Sequence, residues 1–421
     1  MQNLISVLGV FVILGLGILF SSSRKNIQWR IILWGLGIQL TLALFIIKTS
    51  LGRGIFQWLG DGITQILSFS KVGAGFVFSG LANEPAKYGY IFAFQVLPTI
   101  VFIAALISIF YYLGFIQKVV NVLAKLMVKT MGTSGAESLS AAACVFVGQV
   151  EGPLLIRPYI PEMTRSELMA IMTGGMATIA GGVMAAYIGM GISAPHLLAA
   201  SIMGAPAGLV MAKLLVPETE ESKTKGAVKI NVERTESNVI EAAAKGAADG
   251  MHLAFNVGAM LIAFIALIAM LNSCFHLLGF GITNFVHLFG AKTFVLNLSI
   301  ETILGWIFSP LAFFMGVPLQ DVTQMGALLG KKIVLNEFVA YSQLAEIMKG
   351  TSAIHLQPRT ITIATYALCG FANFSSVAMN IGGIGAMAPS RRGDLAQLGL
   401  KAMMGGALAS CLTATIAGIL S

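Results

Sequence analysis

Apolar stretches long enough to cross a bilayer recur along this chain, and they constrain its fold more than any other feature. A transmembrane helix needs about 20 mostly apolar residues. Such stretches occupy residues 4–20, 31–47, 90–115, 168–190, 197–215, 251–278, 361–387 and 395–420, and we expect the span at 361–387 to be broken. Charged residues make up 10% of the chain, whereas soluble domains contain about 25%. We therefore predict an all-α polytopic membrane protein with about eight transmembrane helices, integral to the cell (inner) membrane and in contact with its lipid.

The ionisable and nucleophilic residues argue against several other classes of function. The net charge is +8, but Lys and Arg cluster in short loops, where they orient membrane spans, so we expect no nucleic-acid partner. The four cysteines stand singly in apolar stretches, and the five histidines follow no metal-binding pattern such as HExxH. The sequence contains no Gly-Lys-Ser/Thr phosphate-binding loop. We therefore expect neither an enzyme nor a resident cofactor.

Two apolar regions are interrupted by an acidic residue near their centre. Residues 147–153 (Val-Gly-Gln-Val-Glu-Gly-Pro) contain Glu151, and residues 331–338 (Lys-Lys-Ile-Val-Leu-Asn-Glu-Phe) contain Glu337. Non-helical backbone at membrane depth is tolerated only against protein or a wet cavity. A charged acid there costs about 2.5–3.5 kcal/mol on insertion scales. We therefore predict that both acids converge on one water-accessible pocket halfway through the bilayer, where they bind a polar substrate.

The segments around these acids predict helical hairpins and helices at the membrane surface. Apolar flanks at 137–159 and 324–347 suggest two re-entrant hairpins, which enter and leave on the same face. Residues 54–82 mix Gly, Ser, Lys and aromatics without a clean span, and residues 119–131 look amphipathic, so both stretches predict interfacial helices. The stretch 290–316 is ambiguous between a span and an interfacial helix.

An internal repeat divides the chain. Residues 175–181 (Gly-Met-Ala-Thr-Ile-Ala-Gly) resemble residues 370–376 (Gly-Phe-Ala-Asn-Phe-Ser-Ser), and each stretch follows one of the predicted hairpins and precedes a further span. Secondary transporters use inverted repeats of this kind to build a midplane site. We predict four regions: an N-terminal scaffold (1–131), a first repeat (132–216), a cytoplasmic loop with a scaffold span and interfacial helix (217–316), and a second repeat (317–421).

Amide and hydroxyl side chains near the two acids extend the candidate site. Gln149 and Asn373 both donate and accept hydrogen bonds, and Ser376 lies on the same helical face as Asn373. The alternative for the acids is pairing with a nearby Lys or Arg. The alternative for the amides is hydrogen bonding between helices, worth about 0.6–2 kcal/mol in membranes. A receptor that binds without transport and an intramembrane enzyme are the other functions considered.

Three motifs resemble those of the concentrative nucleoside transporter family. Residues 148–158 (Gly-Gln-Val-Glu-Gly-Pro-Leu-Leu-Ile-Arg-Pro) resemble the family's Gly-Gln-Thr/Ser-Glu-Ala-Pro motif. Residues 336–341 (Asn-Glu-Phe-Val-Ala-Tyr) and 369–376 (Cys-Gly-Phe-Ala-Asn-Phe-Ser-Ser) resemble two more, and the likeness continues through 413–418. The motifs occur in the family's order, and the likeness covers nearly the whole chain.

The resemblance implies a homotrimer that imports nucleosides, driven by a cation gradient, with a transport region that moves like an elevator. It also implies a role for each residue that matches a motif. The implied base contacts are Gln149 and Glu151, the implied ribose contacts are Glu337, Asn373 and Ser376, the implied apolar contacts are Val183 and Phe371, and the implied sodium site comprises Cys144, the Val147 carbonyl, Thr178 and the Ile179 carbonyl.

The sequence departs from the family pattern at three positions. Val150 stands where the family usually has Thr or Ser, so a hydroxyl beside the base is missing. Gly152 replaces the usual Ala, and Cys144 stands where sodium-coupled members commonly carry Asn. Because a thiol is a poor ligand for a hard cation, sodium and proton coupling both remain open, and Glu151 or Glu337 is the candidate proton carrier.

Overall fold

The computed structural model describes residues 2–83, 91–226, 236–288 and 298–421, and its regular structure within these ranges is helical. We number the helices of at least nine residues in chain order. They are α1 (Gln2–Leu19), α2 (Trp29–Ala43), α3 (Ser50–Phe78), α4 (Leu97–Tyr112), α5 (Phe115–Met131), α6 (Gly135–Ala143), α7 (Arg165–Ala177), α8 (Gly181–Met190), α9 (Ala194–Leu215), α10 (Val239–Leu288), α11 (Ile300–Phe314), α12 (Val322–Val334), α13 (Glu337–Met348), α14 (Pro358–Ala367), α15 (Phe374–Met387) and α16 (Arg392–Leu420).

Seven helical segments of the described chain are long and apolar enough to cross a membrane. They are Gln2–Leu19, Trp29–Lys48, Phe92–Tyr112, Arg165–Met190, Ala194–Leu215, Val239–Asn284 and Pro389–Leu420. The eighth predicted span, 361–387, consists of α14 and α15 with non-helical residues 368–373 between them. The prediction of a polytopic all-α membrane protein is therefore confirmed.

The predicted span 168–190 is also broken, which the sequence pattern did not indicate. Helix α7 ends at Ala177 and α8 begins at Gly181. The backbone N–H of Gly181 donates to the carbonyl of Phe146 at 3.1 Å, in the segment that follows α6. The break is tolerated because protein, rather than lipid, satisfies this backbone group.

Helices form at both predicted interfacial stretches, and the one at 119–131 has the expected amphipathic character. In α5 the buried side chains include Val120, Ala124 and Met127, whereas Lys125 and Lys129 are exposed. The predicted helix 54–82 corresponds to α3, which begins earlier because the Thr49 hydroxyl accepts from Gly52 N and caps its first turn. Of the ambiguous stretch 290–316, residues 300–314 form α11, and residues 289–297 lie outside the described residues.

Two helical hairpins occupy the positions predicted from the sequence. The first hairpin comprises α6, a non-helical tip at 144–150, and a short helix at Glu151–Leu154. The second hairpin comprises α12 and α13, which meet at Leu335 and Asn336. Whether both hairpins are re-entrant stays a prediction, as do the opposite orientation of the repeats and the four-region division.

The two halves share one order of elements: a hairpin, a broken helix and then an unbroken helix. The break at 178–180 falls within the first of the two stretches that resemble each other in sequence, and the break at 368–373 overlaps the second. Helices α7, α9 and α16 pack against one another. The core of the molecule is therefore built from both halves.

Buried charges hold the base of the first hairpin. The Ser134 hydroxyl and the Glu137 carboxylate form a capping box at the start of α6. Lys213 Nζ, at the end of α9, lies 2.7 Å from Glu137 Oε2 and 3.5 Å from Glu218 Oε2. Only 3% of Lys213 and 2% of Glu137 is exposed. This pairing fixes α9 and the segment after it to the hairpin.

Helices α4 and α10 approach each other at backbone distance. A Cβ atom added to Gly246 would lie 2.7 Å from the carbonyl oxygen of Ala104, and one added to Gly250 would lie 2.8 Å from Val101 Cα. Small residues at helix crossings in membranes allow this close approach. We call this contact the glycine seam.

Candidate functional site

Two glycines allow the tight tip of the first hairpin. A Cβ atom at Gly148 would lie 2.1 Å from Glu151 Oε2, and one at Gly152 would lie 2.4 Å from Cys144 Sγ. The Gly152 N–H donates to the Gly148 carbonyl at 2.9 Å, which closes the turn. The departure from Ala at position 152 thus provides the space that the Cys144 sulfur fills.

The tip of the first hairpin packs against the break between α7 and α8. Besides the bond from Gly181 N to Phe146 O, the Ser201 hydroxyl donates to the Val145 carbonyl at 3.2 Å. A Cβ atom on Gly175 would lie 2.8 Å from Gln149 Cβ. These contacts fix the direction of the tip, and with it the position of Gln149.

Asparagine caps begin the two helices that approach the site from the second half. Asn336 Oδ1 accepts from Val339 N at 2.9 Å and places Glu337 in the first turn of α13. Asn373 Oδ1 accepts from Ser376 N at 2.8 Å and caps α15. Helix N-termini favour negative charge and polar acceptors, so both ends suit a ligand that carries hydroxyl oxygens.

Lys332 connects the second hairpin to the break between α14 and α15. Its Nζ donates to the Ala367 carbonyl at 2.8 Å and to the Ser410 hydroxyl at 2.9 Å, and 1% of the residue is exposed. The Ser410 hydroxyl also donates to the Cys369 carbonyl at 2.8 Å. Two carbonyls at the break, those of Ala367 and Cys369, therefore have side-chain partners, as buried backbone groups require.

A buried hydrogen-bond network centres on Glu337. Its Oε2 accepts from Asn373 Nδ2 at 2.8 Å and its Oε1 accepts from the Tyr187 hydroxyl at 3.2 Å. Only 5% of Glu337 and 1% of Asn373 is exposed. Glu337 is thus held by one side chain from each half, because Tyr187 lies on α8 in the first half and Asn373 caps α15 in the second.

The same network continues to the first hairpin through α15. Gln149 Nε2 donates to Ser376 Oγ at 3.0 Å, and Asn380 Nδ2 donates to Gln149 Oε1 at 2.8 Å. Ser376 is linked to Asn373 by the cap. Four predicted site residues, Glu337, Asn373, Ser376 and Gln149, therefore form one continuous hydrogen-bonded cluster.

Glu151 lies apart from this network. Its side chain is exposed and, among the described residues, we find no hydrogen bond between Glu151 and Glu337. Glu151 lines a cavity of roughly 500 Å³. The cavity lies between the first hairpin and the α4–α10 pair, with Gly148, Gly181, Ser108 and Asp249 also in its wall. Glu337 is buried in the network and is not among the described residues that line this cavity, so the predicted convergence of both acids on one water-accessible pocket is not found in this structure.

The predicted apolar contacts lie on the segments that carry the network. Val183 lies one helical turn before Tyr187 on α8, and 5% of it is exposed. Phe371 is half-buried in the non-helical segment before α15. Val150 packs over α15, because a Cβ atom on Gly383 would lie 2.5 Å from Val150 Cγ1. Val150 therefore touches the helix that carries Asn373 and Ser376.

The four predicted ligands for sodium are buried where the first hairpin meets the α7–α8 break: exposed fractions are 1% for Cys144, 8% for Val147, 1% for Thr178 and 0% for Ile179. The Thr178 hydroxyl donates to the Gly174 carbonyl at 3.0 Å and keeps its oxygen lone pairs. The Cys144 thiol points to the Gly148 carbonyl at 3.9 Å. Three oxygens thus suit a hard cation, while the sulfur does not.

Sequence reasoning missed Tyr187, Asn380 and Lys332. Asn380 follows Ser376 by four residues and Asn373 by seven, so helical periodicity already put all three on one face. Tyr187 and Lys332 had no such signal, because each acts on a partner that is distant in sequence.

Broken helices, two hairpins and a polar cluster shared between two halves are features of secondary transporters. Three family models match the chain: "Na+ dependent nucleoside transporter N-terminus" over residues 8–81, "Nucleoside recognition" over 93–194, and "Na+ dependent nucleoside transporter C-terminus" over 196–418.

Relatives and solved structures agree with these matches. An uncharacterized transporter of Haemophilus influenzae is 47% identical, covering 100% of this chain and 98% of that protein. Mouse sodium/nucleoside cotransporter 1 is 43% identical, covering 100% of this chain and 64% of that protein. The structure of CNTnw in an inward-facing substrate-bound state has a TM-score of 0.91 at 42% identity, covering 100% and 99% of the two chains. A CNTnw variant in an outward-facing state has a TM-score of 0.92 at 42% identity, covering 100% and 99%.

The chain belongs to the concentrative nucleoside transporter family. It is an integral, multi-pass protein of the cell membrane.

Proposed function

We propose that this protein is a secondary active symporter that imports nucleosides, driven by a sodium or proton gradient. The observation that carries the proposal is the buried network of Glu337, Asn373, Ser376 and Gln149, which offers donors and acceptors from both halves of the chain. A buried polar cluster of this kind in a membrane protein marks a substrate pathway more often than a structural element.

The substrate chemistry follows from the groups in this network. Glu337 accepts hydrogen bonds and suits the hydroxyl groups of a ribose, while Asn373 and Ser376 complete a face of donors and acceptors. Gln149 and Glu151 suit the heteroatoms of a base, and Val150, Val183 and Phe371 suit its flat surfaces. A strongly anionic solute is disfavoured, because the two acids would repel it.

The coupling ion is sodium or a proton. The oxygens of Val147, Thr178 and Ile179 favour sodium, as does the description of the matched family models. Cys144 favours a proton, because its thiol takes the place of a hard oxygen donor. With proton coupling, Glu151 or Glu337 is the carrier.

Transport requires that the site be exposed first on one side and then on the other. We propose an elevator-type movement of the hairpins and broken helices against the scaffold, within a homotrimer. The solved relatives in inward-facing and outward-facing states support alternating exposure. The exposed Trp58 and Phe76 on α3, with exposed fractions of 73% and 92%, suit contact with lipid or a neighbouring subunit.

Uptake into proteoliposomes tests the proposal. Labelled uridine and adenosine are offered with an inward sodium gradient, an inward proton gradient, both or neither, with liposomes that lack protein as the control. Accumulation that depends on one of the gradients is expected. Binding without accumulation, or no uptake under either gradient, contradicts the proposal.

A further inference from the structure

Asn380 makes two hydrogen bonds through one nitrogen atom. Its Nδ2 donates to the backbone carbonyl of Ser376 at 2.9 Å and to Gln149 Oε1 at 2.8 Å, and 0% of the residue is exposed. The oxygen and nitrogen of an amide side chain are distinguished by their hydrogen-bond partners. Here the assignment is unambiguous, because a backbone carbonyl accepts and never donates.

The fixed orientation of Asn380 passes to Gln149. Since Asn380 presents its nitrogen, Gln149 has to present its oxygen to Asn380 and its nitrogen to Ser376 Oγ. The Ser376 hydroxyl oxygen then accepts from Gln149, so the hydroxyl proton of Ser376 is free to donate to another group. The other side of the site is fixed in the same way, because the Ser376 N–H determines which atom of Asn373 faces Glu337.

We propose that Asn380 is a positioning residue that sets the hydrogen-bond polarity of Gln149, and thereby the kind of nucleobase that the site accepts. The proposal rests on the proposed function. Asn380 Oδ1 is buried without a hydrogen-bond partner among the described residues. A residue whose only role is packing would not be expected to leave a buried acceptor unpaired. The presence of Asn at position 380 is better explained by its orienting effect on Gln149.

The orientation matters because pyrimidine bases differ in the order of their donors and acceptors. At ring positions 3 and 4, uridine offers an N–H donor and a carbonyl acceptor, whereas cytidine offers an acceptor nitrogen and an amino donor. A glutamine amide held one way complements one of these edges, and the same amide turned over complements the other.

Two variants at this position separate polarity from packing. Asn380→Asp keeps the shape but removes the donor to both Gln149 Oε1 and the Ser376 carbonyl. Gln149 then has to turn its nitrogen toward position 380 to remain paired, whereas the loss of the bond to the Ser376 carbonyl affects both substrates alike. Asn380→Leu leaves Gln149 free to take either orientation. Met379→Leu is the comparison, since the Met379 sulfur is only a weak acceptor for Gln149 Nε2 at 3.9 Å and its loss leaves the stronger bond from Asn380 in place.

The readout is the ratio of KM for uridine to KM for cytidine in proteoliposomes. In Asn380→Asp, the ratio is expected to shift by about 3- to 10-fold in favour of the base that the wild-type protein binds less well. It is expected to move toward unity in Asn380→Leu and to stay unchanged in Met379→Leu. A role in packing alone changes both KM values together, so ratios within twofold of wild type in both Asn380 variants overturn the proposal.

A measurement that needs no substrate tests the same hydrogen bond. The melting temperatures of Asn380→Leu, Gln149→Leu and the double variant are compared in detergent. If Asn380 and Gln149 act through each other, the double variant loses clearly less than the sum of the two single variants. Additive losses overturn the proposal, even if the wild-type protein transports no nucleoside and the proposed function fails.

Discussion

Replacing Glu337 by Gln removes the charge of the network while leaving its hydrogen bonds possible. The Asn373 side-chain oxygen accepts from the Ser376 N–H, so its nitrogen has to donate to position 337. The oxygen of the new Gln side chain is therefore expected to face Asn373. The Gln nitrogen then faces the Tyr187 hydroxyl, which turns to accept. The protein should therefore fold, and the loss should appear in substrate binding.

The magnitude follows from the difference between charged and neutral hydrogen bonds. A bond to a charged group contributes about 1.5–3 kcal/mol and a neutral one about 0.5–1.5 kcal/mol. Loss of about 1–2 kcal/mol at one ribose hydroxyl raises KM about 5- to 30-fold. Uptake of labelled uridine measures this effect, and Glu346→Gln on the exposed face of α13 is the control. A wild-type KM for Glu337→Gln would refute the assignment of this carboxylate to the substrate.

Four further substitutions test neighbouring features. Val150→Thr keeps the packing and adds a hydroxyl. Competition assays are therefore expected to show changes of up to about tenfold in the relative affinities for bases. An unchanged order of base affinities would place position 150 outside the pocket. Cys144→Asn is expected to raise the sodium dependence of uptake, and an identical response to sodium would argue against a cation site there. Gly152→Ala brings a Cβ atom against Cys144 and is expected to cost about 1–3 kcal/mol; thermal unfolding should show the loss, and Cys144→Ala should relieve it. Lys213→Met leaves Glu137 buried and unpaired, which costs about 3–5 kcal/mol; an unaltered melting temperature would show that this ion pair does not stabilise the fold.

The sequence predicted the elements that have a strong compositional signal. The long apolar helices and the interruptions at Glu151 and Glu337 were visible because apolar runs and intramembrane acids are rare outside their structural roles. The broken span 361–387 was visible from its glycines and polar residues. The break at 178–180 was missed, since its residues are small or apolar and the backbone partner, Phe146, lies in another element.

The candidate site was predicted in part for a similar reason. Gln149, Asn373, Ser376 and Glu337 stand in motifs that resemble one family, and the structure brings these four together. Periodicity cannot tell which side of a hairpin tip an acid faces, so the sequence did not separate Glu151 from the network. Pairings such as Glu337 with Tyr187 depend on how distant helices pack, and a single sequence holds no record of them.

The glycine seam determines which wall of the cavity beside Glu151 is able to shift. Backbone atoms of α4 and α10 touch directly at Gly246 and Gly250, so at this crossing no long side chain separates the two helices. The two helices therefore form one rigid wall of the cavity, and a movement that opens or closes the cavity displaces the first hairpin relative to this pair. A bulky residue at either glycine would force the two helices apart and change the position of the wall that faces the hairpin.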